Sequence, residues 1–240
     1  MSAVFARTAL RDCPDLFTRV VRFNQHPATT LHTDHLLPLP PGERAGVRGV
    51  SQINPHLFNR LLQSPRAERQ LSAWVIKHHG LSPTGFWRFE YPPQRLAILD
   101  PPHLESLIRF TAATAITPRI IALIGGAQLR EAKQSLGDDA YQFALKRASL
   151  VAGPKPIETD LPPDAPLTAA NITATGLAWL RTCLGNDSPE LLKRTSLKLP
   201  AAWAITPETR PASIDRDRCW KILKRILLTE IAPDLAPCFN

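Results

Sequence analysis

Apolar positions recur through most of this chain at helical spacing, and strand-like alternation is nearly absent. Leu71, Trp74, Val75 and His78 fall at i, i+3, i+4 and i+7, and Gly80 follows where a C-terminal cap belongs, so a helix is expected over about Pro65 to His79. Asp100-Pro101, Thr117-Pro118 and Ser188-Pro189 each put a capping side chain before a proline, whose missing N–H costs nothing at a first helical position. They mark three helix starts. The first leads into Leu104, Leu107 and Ile108, and the second into Ile120, Ile121, Leu123 and Ile124. Asp138 or Asp139 opens a helix carrying Tyr141, Ala144, Leu145 and Ala148. Thr168 caps another with Ile172, Leu177, Leu180 and Leu184 on its face and Gly185 at its end. The last helix, with Ser213 as its cap, aligns Trp220, Leu223, Ile226, Leu227 and Ile231, and Pro233 stops it. Only Phe86 to Tyr91 and Leu197 to Leu199 offer short strands. The expected fold is mainly α, a compact multi-helix domain of short helices.

Two proline-rich stretches interrupt this pattern. Asn24 to His56 contains Pro27, Pro38, Pro40, Pro41 and Pro55 and reads as a loop or disordered insertion. Within it, Leu36 to Val50 looks like translated bacterial interspersed-repeat DNA. Ala152 to Leu167 has five prolines in sixteen residues and reads as an extended, proline-stiffened linker. The organisation is therefore an N-terminal segment (1–23), the insertion (24–56), a helical part (57–151), the linker (152–167) and a C-terminal helical part (168–240) packed on the rest.

Composition narrows the function classes. The chain has 240 residues, 44% of them hydrophobic and 21% charged, enough apolar content to bury a core. The most apolar stretch, Phe110 to Leu129, has Pro118 and Arg119 at its middle, which argues against a membrane span. Met1 to Asp12 lacks the apolar core of a secretory signal, so a cytoplasmic location is expected. Cys13, Cys183, Cys219 and Cys238 form no Cys-x-x-Cys pair, which points to reduced thiols and away from a zinc site.

Candidate chemistry is sparse. Gly125-Gly126 is followed by Ala127, Gln128 and Leu129, not by the Lys and Ser/Thr of a phosphate loop, and reads as a turn. His32, His35, His78 and His79 read as a solvated loop and a helix end and belong to no metal-binding motif. Asp138 and Asp139 suit a helix N-terminus better than a shared-proton dyad, and Cys219 a helix packing contact better than a reactive thiol. No enzyme, cofactor or metal is expected.

Charge is more informative. The net formal charge is +8, and between Lys193 and Arg225 nine Lys and Arg face only Glu208, Asp215 and Asp217. Such a patch suits nucleic acid, an anionic membrane surface or an acidic protein. No helix-turn-helix, zinc finger or RNA-binding aromatic motif accompanies it, so protein docking or solubility is favoured over nucleic acid.

The same region carries a resemblance. Gly176-Leu-Ala-Trp-Leu180 is followed by Leu192-Lys-Arg-Thr-Ser-Leu-Lys-Leu-Pro200, a Trp/Pro-rich connector holding Arg210-Pro211, and a basic helix and tail from Cys219 to Phe239. This order resembles the K component of type III secretion, the SctK, YscK and PscK family. Leu10-Arg-Asp-Cys-Pro14 is similar to that family's Cys-Pro element, and Leu136-Gly137 through Ala148 to its middle helix. The stretch from Asn24 to His56 departs from the family's more compact N-terminal region.

The resemblance implies a non-enzymatic adaptor of the injectisome sorting platform at the cytosolic face of the inner membrane, a monomer when isolated and without a cofactor. It would link the inner-membrane ring's cytosolic domain to the Q-type pod protein, with the ATPase stator as a further contact. From the sequence itself, Lys193, Arg194, Lys198, Lys221, Lys224 and Arg225 are the expected cationic docking face. The plainer alternative makes Leu197, Leu199, Trp220, Leu223, Ile226 and Leu227 core and the charges merely solvated. The rival functions are nucleic-acid binding by the basic C-terminal helix and peripheral membrane attachment through it.

Overall fold

The computed structural model describes residues 11, 13–36, 54–123, 125–155, 157, 159–185, 188–206 and 208–239, and among them every regular element is helical. In chain order these are α1 (Pro14–Gln25), α2 (Pro55–Leu62), α3 (Pro65–His78), α4 (Pro101–Ala122), α5 (Gly126–Leu136), α6 (Asp138–Lys146), α7 (Ala148–Ala152), α8 (Ala169–Leu184), α9 (Pro189–Ser196), α10 (Arg216–Ile226) and α11 (Ala236–Phe239). Short 3-10 segments, including Pro27–Thr30, Thr33–His35 and Pro92–Ile98, join them, and α10 runs on through a π-helical turn, Leu227–Ile231. The fold is mainly α, as the periodicity predicts.

The central element is α4. Its run from Thr111 to Thr117 is buried on all sides by α6, α7, α8 and α10. Small residues make this possible, since Ala112, Ala113 and Ala115 let neighbouring backbones come close. The tightest approach is at Gly176 of α8, where a Cβ would overlap the Ile108 carbonyl and sit 2.8 Å from Ile108 Cγ2. The sequence suggests a helix start at Thr117-Pro118, but α4 passes through it as one 22-residue helix. Thr117 is not a cap; its hydroxyl donates to the Ala113 carbonyl at 2.7 Å, and the helix ends one turn later at Ala122.

Other boundaries follow local chemistry. Ser188 and Thr168 cap α9 and α8, accepting from the N–H groups of Leu191 and Asn171. The cap of α10 is Asp215, not Ser213, and it accepts from the Arg218 N–H at 2.9 Å. At the end of α3, Gly80 adopts φ +55°, and Leu81 N–H reaches the Ile76 carbonyl at 2.8 Å, the six-to-one bond of a Schellman ending. Neither strand candidate forms. Phe86 and Phe89 lie in an irregular segment, their rings edge to face at 5.1 Å, and Leu197 to Leu199 form a turn.

The main core draws on α1 and on most of the described helices from Phe86 onward, and α4 packs most extensively on α8, which follows the proline-rich stretch. The described residues of that stretch after Ala152 form no regular helix, yet they lie against the body. Leu167 is buried, Ile157 and Leu161 pack on the core, and Arg119 donates to the carbonyls of Pro162 and Ala165. A second cluster joins α2 and α3 to Ala28, Leu36 and Leu197. Residues 24–36, assigned from sequence to a loop or disordered insertion, thus contribute packed 3-10 turns. His26 Nδ1 also meets Glu68 at 2.8 Å, and Glu68 accepts from Ser72. The repeat-like stretch lies, from residue 37 to its end at Val50, outside the described residues.

Candidate docking surface

The six cationic residues divide by helical phase. On α9 and the turn after it, Leu191, Arg194, Thr195 and Lys198 fall at i, i+3, i+4 and i+7, and all four are buried. Arg194 and Lys198 therefore belong to the interior and leave the expected docking face. Arg194, its side chain 1% exposed, donates through Nε to Glu190 at 2.5 Å, through Nη1 to the Phe23 and Asn24 carbonyls at 3.1 Å each, and through Nη2 to the Ser82 carbonyl at 2.6 Å. Glu190 also accepts the Ser82 N–H. One guanidinium thus holds together the end of α1, the loop after α3 and its own helix.

Lys198 makes a second such clasp. Its ammonium donates to the Ala97 and Leu99 carbonyls and lies 5.5 Å from the centre of the Phe23 ring. Burial lowers its pKa to about 7; Asp100 pulls the value up, while Arg19 and Arg22 add to the lowering. Burial alone would raise the Asp100 carboxyl, but the hydrogen bond from Arg19 and the charges of Arg19, Lys198 and Arg22 bring it below its ordinary value. The Lys-Arg-Thr-Ser-Leu-Lys-Leu-Pro run is thus a structural knot. Ser196 completes it by bonding both the N–H and the carbonyl of Ile205.

The other four cations reach the surface. Lys193 is exposed and donates to the Gly80 carbonyl at 2.9 Å. On α10, Cys219, Ile222, Leu223 and Ile226 form the buried stripe, which leaves Lys221 and Arg225 exposed and Lys224 half-buried at its margin. Trp220 is half-buried, stacked obliquely on Phe239 at 6.1 Å. Helices α9 and α10 pack mainly on different neighbours, so Lys193 stands on a separate element from the α10 group.

The α10 group continues onto α7. Arg225 Nη1 donates to the Leu150 carbonyl at 3.1 Å, and Arg147 pairs with Glu230 at 2.9 Å. Leu150 is 70% exposed and Leu145 45% exposed, although the apolar period places Leu145 in the core. These two leucines, with Lys146 and Arg147, add apolar area to a cationic surface. The sequence offers one signal for them: Tyr141, Ala144 and Ala148 already fill the buried stripe of α6 and α7, and Leu145 falls beyond its edge.

The histidines lie near the α9 turn. His32, His35, His79 and His78 form a chain of rings with successive centroids 6.4, 6.1 and 5.5 Å apart, and His35 Nε2 meets the Leu199 carbonyl at 3.0 Å. Among the described residues no three His, Cys, Asp or Glu side chains are placed to hold a metal ion. Nor is any described helix long and apolar enough to cross a membrane.

These features define a mainly helical protein with buried polar clasps and a cationic, partly apolar outer surface. The family model described as YOP proteins translocation protein K (YscK) matches residues 19–238, and the chain belongs to that family of type III secretion proteins. No curated protein and no solved structure gives a significant match to it. The family is one of secretion components and not a known enzyme family.

Proposed function

We propose that this protein is a cytosolic adaptor of the injectisome sorting platform, linking the cytosolic domain of the inner-membrane ring to the Q-type pod protein at the cytosolic face of the apparatus, with the ATPase stator as a further contact. Family membership supports the setting. The observation that carries the residue-level reading is the outer face of α10, which carries Lys221, Lys224 and Arg225, the last of them bonded to the carbonyl of exposed Leu150. That combination suits an acidic protein surface with apolar side chains at its centre. Lys193 is a second, separate cationic point. Arg194 and Lys198 serve indirectly by fixing the helices behind these faces.

The test is affinity isolation of the tagged chain from its own cytosol after nuclease treatment at moderate salt, comparing wild type with a Lys221→Glu/Lys224→Glu variant. The expected result is recovery of the pod protein or the ring domain by wild type and its loss by the variant. Equal recovery with unchanged salt dependence contradicts this docking face. Binding abolished by nuclease would instead favour nucleic acid as the partner of the basic helix.

A further inference from the structure

The four cysteines lie in two buried pairs that are built differently. Cys183 and Cys219, at 0% exposure, lie 3.3 Å apart between α8 and α10, with Cys183 donating to Cys219 and Cys219 to the Trp179 carbonyl at 3.4 Å. Each of those protons has an acceptor within the core. Cys13 and Cys238 are 225 positions apart, yet their sulfurs are 2.8 Å from each other, closer than unbonded sulfurs rest and approaching the about 2.05 Å of a disulfide. Cys13 precedes α1, and Cys238 lies in α11. Both helices rest on Pro92–Ile98, from which Arg95 donates to the Cys238 carbonyl at 2.9 Å. Cys13 is 7% exposed and Cys238 3%, so this pair lies nearer solvent than the other.

We propose that Cys13 and Cys238 form a redox modification site, which a hydroperoxide converts to an intramolecular disulfide clamping α1 to α11 across Pro92–Ile98. The Cys13 thiolate attacks a peroxide oxygen and the O–O bond breaks; the leaving oxygen takes a proton and departs as water or alcohol, and Cys13 becomes a sulfenic acid. The Cys238 sulfur then attacks the Cys13 sulfur, its proton leaves with the sulfenic hydroxyl as a second water, and the S–S bond forms. The two thiols are oxidised by two electrons and the peroxide is reduced by two. Arg95 brings positive charge to both sulfurs, while at Cys238 the negative charge of Asp15 opposes the positive charge of Arg19. Burial, and then the contact with Cys13, push the Cys238 thiol up to about 12, which leaves the first attack to the more exposed Cys13 and has Cys238 give up its proton only as the sulfenic hydroxyl departs.

The experiment treats the reduced full-length chain with hydrogen peroxide at pH 8, blocks remaining thiols under denaturing conditions, and maps the digest by mass spectrometry. The expected product is a peptide linking Cys13 to Cys238, with Cys183 and Cys219 recovered as blocked thiols. Unreduced gels should show a faster band, absent in Cys13→Ser and Cys238→Ser. The oxidised protein should melt roughly 10 °C higher, because so long a loop is closed in its unfolded state. Recovery of Cys13 and Cys238 as thiols, as separate sulfinic or sulfonic acids, or only in links between chains would overturn the proposal, and this readout on the wild-type protein requires no variant to fold.

Discussion

Replacing Arg194 with alanine tests whether the most recognisable run of this sequence holds the fold together or meets a partner. The guanidinium serves Glu190 and three main-chain carbonyls, of which those of Phe23 and Asn24 belong to buried residues. Truncation takes the guanidinium donor from the Phe23 and Asn24 carbonyls, while the Ser82 carbonyl keeps the Gly85 N–H, and it strips Glu190, 20% exposed, of its counter-charge. A dry, unsatisfied acceptor costs about 1–3 kcal/mol, and breaking a buried ion pair from one side costs about 3–5 kcal/mol. These losses overlap, so the expected destabilisation is about 3–5 kcal/mol. In a domain of this size that lowers the melting temperature by roughly 10 °C. Arg194→Lys keeps the charge but not the planar fork, and should still lose about 2 kcal/mol. Lys193→Ala, one position away but exposed, should stay within about 0.5 kcal/mol of wild type. Calorimetry or denaturant unfolding reads all three. Melting of Arg194→Ala within about 2 °C of wild type would refute a structural role for this guanidinium, and loss of partner capture by that folded variant would return Arg194 to the docking face.

Further predictions rest on other parts of the molecule. Reversing charge at Lys221 and Lys224 should leave the melting temperature within about 2 °C of wild type while removing partner capture; a large loss of stability would place these residues in the fold instead. Gly176→Ala should destabilise by about 1–3 kcal/mol, because overlap with Ile108 outweighs the about 1 kcal/mol gained from helix propensity; a stabilised variant would show that α4 and α8 are not so close. Burial, followed by the charges of His35, His78 and Lys193, lowers the pKa of His79, whose Nε2 is buried without a hydrogen-bond partner. The unfolded chain therefore binds the proton more readily, and stability present above about pH 6.5 is lost as pH falls through the lower folded value. His79→Gln should flatten the fall in melting temperature below about pH 6.5, and an unchanged slope would refute this. For Lys198, lowered to about 7, the same linkage makes stability rise from about pH 7 towards its unfolded value near 10.4. Lys198→Met should remove that rise, and a persistent slope would place its source elsewhere.

Much of the architecture is legible in the sequence because helix signals are local. Ser188, Thr168, Gly80 and Gly185 act at the ends where their chemistry places them. Thr117-Pro118 misleads because a buried helix flanked by α6 and α8 tolerates a proline that an isolated one would not, and the threonine hydroxyl takes a carbonyl of its own helix. Arg194 and Lys198 illustrate a different failure. Their spacing from Leu191 and Thr195 already places them on the buried stripe, but charge is ordinarily read as solvated. The acceptors that make their burial tolerable, the Phe23, Asn24, Ser82, Ala97 and Leu99 carbonyls, lie about a hundred residues or more away in the chain. The exposed leucines of α6 and α7 were hidden for the opposite reason, since an apolar residue beside a helical stripe is ordinarily counted with the core.

The proposed adaptor role requires the protein to join two components of the secretion apparatus. The most direct measurement immobilises the purified cytosolic domain of the inner-membrane ring and asks whether purified pod protein is retained with and without this chain. Retention is expected only when the chain is present, and should be lost with the Lys221→Glu/Lys224→Glu variant. Retention of pod protein without the chain, or its absence even when the chain is present, would rule out the adaptor role.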